Sequence, residues 1–141
     1  MDAGIHATAI VLARPGRPFG LLLTGPSGAG KSSLALALID EWQAAGRFAR
    51  LVCDDRTVLR ARHGRLIARP PAALAGLIEV RGLGPVVRAH LPAACIHAHV
   101  HVREPVERLP DPTTSTFEGI ALPRIDADSS ALVRSWLREV P

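Results

Sequence analysis

Apolar residues along the chain change from strand-like to helix-like spacing at a run of glycines. Residues 5–13 and 19–24 are short apolar runs rich in β-branched and small residues, and the turn-forming residues 14–18 separate them. From Lys31 onward the apolar residues recur every three to four positions, until Gly46 supplies a helix stop. This pattern predicts two strands followed by a helix.

The middle of the chain has the pattern of short strands joined by tight turns. Residues 50–55 form an apolar run that ends in two acids, which predicts a buried strand. Residues 57–62 and 65–69 flank His63 and Gly64 in the manner of a β-hairpin. We expect a short helical turn within residues 72–77 before the next extended segment.

The last third of the chain combines one alternating segment, one irregular segment and one helix. Residues 93–102 alternate as a single half-buried strand, and residues 104–117 are rich in proline and threonine, which predicts a surface loop. Asp128 is expected to cap a C-terminal helix with an apolar face. Together the elements predict an α/β fold with a central mixed β-sheet, a phosphate-loop helix and a C-terminal helix, in one domain over residues 1–141 without an N-terminal domain.

One side of the alternating strand carries Cys95 and three histidines, His97, His99 and His101. Histidines at this spacing are able to ligate a transition metal. A solvent-facing polar row opposite Ile96 and its apolar neighbours also explains the alternation, so we assign no metal to them.

The strongest chemical signal is the sequence G-x-x-x-x-G-K-S, which lies between a predicted strand and a predicted helix. Glycines let backbone N–H groups turn toward phosphate oxygens, the lysine adds a point charge, and the serine hydroxyl is a ligand for Mg²⁺. The predicted nucleotide-binding residues are Gly25, Pro26, Ser27, Gly28, Ala29, Gly30, Lys31 and Ser32.

A phosphoryl-transfer site also needs carboxylates, and Asp54 and Asp55 follow the next predicted core strand. Strand ends meet at one edge of an α/β sheet, so we expect these acids near the phosphate loop. The alternative, an exposed Asp-Asp turn, is disfavoured because the preceding apolar run requires a buried strand.

Composition limits the class of protein and its partners. The hydrophobic content of 48% and the lack of a long apolar run predict a soluble chain without a membrane span, and no signal peptide is evident, which favours the cytoplasm. The net charge is +4, and Lys31 is the only lysine among seventeen basic residues. Aromatic residues do not intersperse the basic ones, so nucleic acid is disfavoured as a partner, and an acidic or phosphorylated partner fits the charge as well.

Several segments resemble the catalytic domain of the HPr kinase/phosphorylase family, bacterial enzymes that phosphorylate a serine of the phosphocarrier HPr and reverse that reaction. Residues 22–32 are similar to the family's phosphate loop, and residues 51–55 to its acidic strand end. Residues 78–84, with the sequence IEVRGLG, resemble a signature that other phosphate-loop proteins lack. Residues 106–109 resemble the segment that holds the family's catalytic arginine.

The resemblance implies a role for each matching residue. Asp55 would take the proton from the serine hydroxyl and return it in the reverse reaction, with Asp54 assisting. Glu79 and Ser32 would hold Mg²⁺.

Three further assignments rest on the same resemblance. Lys31 and Arg108 would neutralise the transferred phosphoryl group, and His6 would line the site. The family resemblance also implies ATP, or pyrophosphate, as the donor and HPr as the protein substrate in regulation of a phosphotransferase system. The chain resembles the short alphaproteobacterial form, and the segment at Leu122 to Arg124 resembles the start of a late loop linked to dephosphorylation but lacks its usual Pro-Gly-Arg.

Two other functions remain open from the sequence. A small-molecule kinase uses the same loop, because the loop fixes the donor and not the acceptor. A nucleotide-binding regulatory module without catalysis is the second alternative, and the intact Asp55 and Glu79 disfavour it. The sequence leaves open whether the chain forms a homo-oligomer and how kinase and phosphorylase activities are balanced.

Overall fold

The computed structural model describes residues 4–103 and 113–141. Its strands are β1 Ala7–Arg14, β2 Arg17–Thr24, β3 Ala49–Cys53, β4 Val58–Arg62, β5 Arg65–Arg69, β6 Leu77–Val80, β7 Gly84–Val87, β8 Ala94–Ile96, β9 Ala98–Val102, β10 Thr114–Phe117 and β11 Ile120–Ala127. The α-helices are α1 Lys31–Ala44 and α2 Ser130–Leu137, and a 3₁₀ turn covers Ala72–Leu74. Within these ranges no helix is long and apolar enough to cross a membrane.

A six-stranded mixed sheet in the order β10-β11-β9-β2-β1-β3 forms the centre of the fold. The pairs β1–β2, β1–β3 and β10–β11 are antiparallel, whereas β2–β9 and β9–β11 are parallel. The α/β fold with a central mixed sheet, predicted from the sequence, is therefore confirmed. Since β2, β3, β9 and β11 run in the same direction, their carboxyl ends lie at one edge of the sheet.

Both faces of the central sheet are covered. The helices α1 and α2 pack on one face through residues such as Leu38 and Val133, which join Leu21 and Leu23 in one apolar cluster. A second sheet, β4-β5-β8, covers the other face, where Leu66 and its neighbours form a separate cluster. The hairpin β6–β7 stands apart as a two-stranded sheet beside the carboxyl edge.

The expectation of one strand over residues 93–102 is wrong, because the chain breaks at His97 into β8 and β9, which belong to different sheets. Gly20 explains the break: its N–H donates to His97 Nδ1 at 2.9 Å and its carbonyl accepts from His97 N–H at 2.8 Å. A Cβ on Gly20 would lie 2.0 Å from the Cys95 carbonyl oxygen, so only glycine lets β2 pass this close to β8.

The expectation that the histidines form a solvent-facing row is also wrong, since His99 is only 4% exposed. It lies on β9, a central strand with both faces covered, and packs edge-on against the Phe117 ring at 5.0 Å. Alternation of polar and apolar residues does not report exposure on such a strand.

Two smaller expectations also fail. Of the loop expected over residues 104–117, residues 114–117 form β10, because they pair with the edge of β11 opposite β9, and residues 104–112 lie outside the described residues. Helix α2 is capped by Ser129, whose hydroxyl oxygen accepts from Leu132 N–H, and not by Asp128.

Candidate active site

The turn between β2 and α1 is held by glycines at positions that other residues do not tolerate. Gly25 has φ 146°, and a Cβ there would lie 2.3 Å from the Val102 carbonyl oxygen. Gly30 precedes α1 with φ 99°, in the left-handed region. The loop therefore needs its glycines to pass close to β9 and to enter the helix.

Lys31 is buried within this loop. Its Nζ donates to the Gly25 carbonyl at 3.0 Å and to the Pro26 carbonyl at 3.3 Å. These are neutral acceptors, and no carboxylate pairs with the ammonium among the described residues. The arrangement leaves a desolvated positive charge that an anion entering the loop would neutralise.

Asp54 lies at the carboxyl end of β3, is only 5% exposed, and receives three hydrogen bonds. The Ser32 hydroxyl donates to Oδ1 at 2.6 Å and the Thr8 hydroxyl donates to the same oxygen at 2.8 Å. The Glu79 backbone N–H donates to Oδ2 at 2.9 Å. This carboxylate thus joins the loop helix, the central sheet and the β6–β7 hairpin.

Asp55 differs sharply from its neighbour. Its side chain is 61% exposed and contacts His6 Nε2 through Oδ1. Its backbone has φ 67°, and its N–H donates to the Thr8 hydroxyl oxygen at 3.2 Å. One acid is therefore buried and fully hydrogen-bonded, while the next projects toward solvent beside an imidazole.

A cavity of about 590 Å³ joins these groups. Its polar lining comes from the loop, from both acids and from the hairpin β6–β7, while leucine, isoleucine and proline side chains form an apolar wall. The lining residues are Ser27, Gly28, Gly30, Lys31, Ser32, Ser33, Asp54, Asp55, Leu74, Leu77, Ile78, Glu79, Arg81 and Pro85. An apolar wall beside a cationic glycine loop suits a ligand that has an apolar organic part and an anionic part.

Most residues singled out from the sequence meet at this cavity. Lys31, Ser32, Asp54, Asp55 and Glu79 line it, although they come from three separate segments of the chain. The backbone N–H of Glu79, rather than its carboxylate, donates to Asp54.

Two other predicted residues lie differently with respect to the cavity. His6 reaches the site through its contact with Asp55. Arg108 lies outside the described residues. The roles assigned to all of these residues stay predictions.

Thr8 is a site residue that the sequence reasoning missed. It is completely buried in β1 and its hydroxyl bridges Asp54 and the backbone of Asp55. The available signal was a single hydroxyl residue in the otherwise apolar run of residues 7–13. A buried hydroxyl requires partners, and this one orients both acids.

A second polar cluster lies beside the loop on β9. Burial is the main cause that lowers the pKa of His99 to about 4, and the charge of Arg124 acts in the same direction. Burial also lowers the pKa of His101, with contributions from Arg124 and from Lys31. Both imidazoles are therefore neutral at pH 7, and His101 lies within electrostatic reach of the loop lysine.

Comparison with known proteins assigns this architecture to a family. Residues 12–103 match the model described as HPr Serine kinase C-terminal domain. The HPr kinase/phosphorylase of Clostridium beijerinckii is 48% identical over 65 residues, which are 46% of this chain and 20% of that protein. The HPr kinase/phosphorylase of Lactobacillus acidophilus is 42% identical over 66 residues, which are 46% of this chain and 19% of that protein.

The chain thus matches about a fifth of the length of these curated relatives. A solved structure extends the likeness to nearly the whole chain. The HPr(Ser) kinase/phosphatase from Coxiella burnetii superposes with a TM-score of 0.77 at 28% identity, covering 95% of this chain and 93% of that chain.

Proposed function

The chain belongs to the family of the HPr serine kinase C-terminal domain, and on this premise we propose that it transfers the γ-phosphoryl group of ATP to a serine of the phosphocarrier protein HPr. The observation that carries the proposal is the pair of adjacent acids with different surroundings. Asp54 is buried and bonded to Ser32 of the phosphate loop, whereas Asp55 is exposed in the same cavity.

The phosphate loop is proposed to hold the nucleotide. Its residues Gly25 to Ser32 connect a buried strand to the first turn of α1, where helix N–H groups favour anions. Within the described part of the chain Lys31 bonds only to loop carbonyls, and phosphate oxygens would replace these as stronger, charged acceptors. ATP is the proposed donor, with pyrophosphate as an alternative.

The donor set at the cavity fits Mg²⁺. The Ser32 hydroxyl, the Asp54 carboxylate and the Glu79 side chain supply hard oxygen atoms, which this cation prefers. Ser32 and Glu79 would hold the cation, with Asp54 orienting the serine. When bound, the cation would offset the negative charge of the phosphates.

Asp55 is the proposed general base. Asp54 already accepts bonds from two hydroxyls and one backbone N–H, so its oxygens are committed to those donors. Asp55 is open to solvent, and His6 holds its carboxylate in place. Asp55 would accept the proton of the acceptor serine and return it in the reverse, phosphorylase reaction.

The remaining assignments extend from the family resemblance. Arg108 would join Lys31 in neutralising the transferred group. We propose a cytoplasmic protein in which residues 1–141 form one catalytic domain, with self-association into a homo-oligomer as a further property to be measured. HPr is the proposed substrate and regulation of a phosphotransferase system the proposed role.

ADP release tests the proposal against both alternatives. With ATP and Mg²⁺, ADP formation should depend on HPr from the same organism and rise with its concentration. ADP formation that needs a small molecule and ignores HPr would establish a small-molecule kinase. Tight ATP binding with no turnover under either condition would establish a regulatory module.

A further inference from the structure

The hydroxyl of Thr24 lies between two imidazole rings at the base of the phosphate loop. Thr24 is the last residue of β2, and its Oγ1 is 2.6 Å from His99 Nε2 and 2.9 Å from His101 Nδ1. The other ring nitrogen of His99, Nδ1, is 2.8 Å from the Ser115 hydroxyl in β10. Four side chains from three strands thus form one continuous chain of hydrogen bonds.

Counting the hydrogen atoms shows that every contact in this series of hydrogen bonds can be satisfied. A hydroxyl donates one hydrogen, and a neutral imidazole donates from one nitrogen and accepts at the other. Donation can run from Ser115 through His99 and Thr24 to His101, or in the opposite direction. In both directions each contact has one donor and one acceptor, provided that His99 is neutral, as its burial favours.

A gain in the stability of the fold does not explain why this network is buried here. His99 occupies an inner strand between β2 and β11, where an apolar side chain would pack without the cost of burying polar atoms. A fully satisfied polar network instead fixes one relative position of the groups it joins. Here it joins the outer hairpin β10–β11 to the residue that precedes Gly25.

The position of Thr24 determines the position of the phosphate-loop backbone that follows it. The Gly25 carbonyl, one peptide unit beyond Thr24, accepts the bond from Lys31 Nζ at 3.0 Å. Any shift of Thr24 therefore moves the carbonyl that holds the loop lysine, and with it the charge that would meet a phosphate.

We propose that His99 is a positioning residue of the phosphate loop, which it anchors through Thr24 to the β10–β11 hairpin at Ser115. The inference rests on the proposed function only for the identity of the ligand, a nucleotide phosphate. The anchoring itself is a property of the chain without ligand.

The test uses Thr24→Val, which removes the hydroxyl at nearly constant shape, and Thr24→Ser, which restores it. Ser115→Ala removes the hydroxyl at the outer end of the same series of hydrogen bonds. Ser115 lies on the edge strand β10, a less central position than that of Thr24. Trp42→Phe is the matched control, because it removes a different hydrogen bond, 2.8 Å to the Ala13 carbonyl, at the far end of α1. The readouts are amide hydrogen exchange of residues 25–32 without ligand and the dissociation constant for ATP by calorimetry.

Losing both hydrogen bonds of the Thr24 hydroxyl should accelerate exchange of the loop amides and weaken ATP binding by about threefold to tenfold in Thr24→Val. Ser115→Ala should shift both readouts in the same direction, and Thr24→Ser should return both to within about twofold of the parent. Trp42→Phe should lower the melting temperature and leave both the loop exchange and the ATP dissociation constant unchanged.

Loop exchange in Thr24→Val and Ser115→Ala that matches the parent would overturn the proposal, whatever happens to the melting temperature. A parent chain that fails to bind ATP would refute the proposed function instead. The exchange data would still decide whether the network positions the loop.

Discussion

The Ser32 hydroxyl donates a 2.6 Å hydrogen bond to Oδ1 of Asp54 and so ties the first turn of α1 to the carboxyl end of β3. The same oxygen accepts from Thr8 in the strand between β2 and β3. The pair shows how the candidate site is built: the sheet brings the loop helix and the acids to one edge, and buried hydrogen bonds fix their spacing.

Replacing Lys31 by alanine should weaken ATP binding by about tenfold or more, because a charge-assisted contact contributes about 1.5 to 3 kcal/mol. Calorimetry measures the change. Arg60→Ala is a matched control, since it removes an exposed cation on β4 that does not line the cavity. An affinity for Lys31→Ala within twofold of the parent would remove this loop from the nucleotide site.

Substitutions of the two adjacent acids should have different effects, on the rate of transfer for Asp55 and on fold stability for Asp54. Asp55→Asn should bind ATP normally and lose about 10² to 10⁴-fold in transfer rate, as expected for a lost general base. Asp54→Asn should lower the melting temperature, because its amide group would face donors from Ser32 and Thr8. Transfer by Asp55→Asn at the parent rate, measured with excess ATP, would exclude Asp55 as the base.

Glu79→Gln should move the Mg²⁺ midpoint of the transfer reaction to higher concentration, because an anionic ligand becomes neutral. Binding of nucleotide without metal should change little, and excess Mg²⁺ should restore part of the rate. Glu118→Gln, at an exposed position that does not line the cavity, serves as the control. If the Mg²⁺ curves of parent and Glu79→Gln coincide, Glu79 is not a metal ligand.

His99 should make the folded chain sensitive to acid. Its pKa is about 4 in the folded chain against an ordinary value of 6.5, so between these values the unfolded state binds more protons. The free energy of unfolding should therefore fall by about 2 kcal/mol between pH 7.5 and pH 5 on account of this group. Urea unfolding of the parent and of His99→Gln measures the difference, and equal slopes against pH would show that His99 is not the source.

The sequence predicted local structure well because local rules determine it. The glycine loop, the helix beginning at Lys31 and the hairpin around His63 and Gly64 follow from residue preferences within a few positions. The family and the mixed sheet also followed from the sequence.

What the sequence did not predict depends on neighbours distant along the chain. The break at His97 follows from a crossing with Gly20, the burial of His99 from the inner position of β9, and the role of Thr8 from β1 lying between β2 and β3. Periodicity records which residues alternate, and it does not record how many layers cover a strand. For the same reason the sequence placed both acids at one strand end without distinguishing the buried Asp54 from the exposed Asp55.

Transfer of labelled phosphate from γ-labelled ATP to HPr tests the central claim most directly. The parent chain with Mg²⁺ should label a serine of HPr, Asp55→Asn should not, and HPr with that serine replaced by alanine should stay unlabelled. Contradiction would come from a parent chain that binds ATP and Mg²⁺ yet leaves HPr unlabelled, or from labelling that Asp55→Asn sustains at the parent rate.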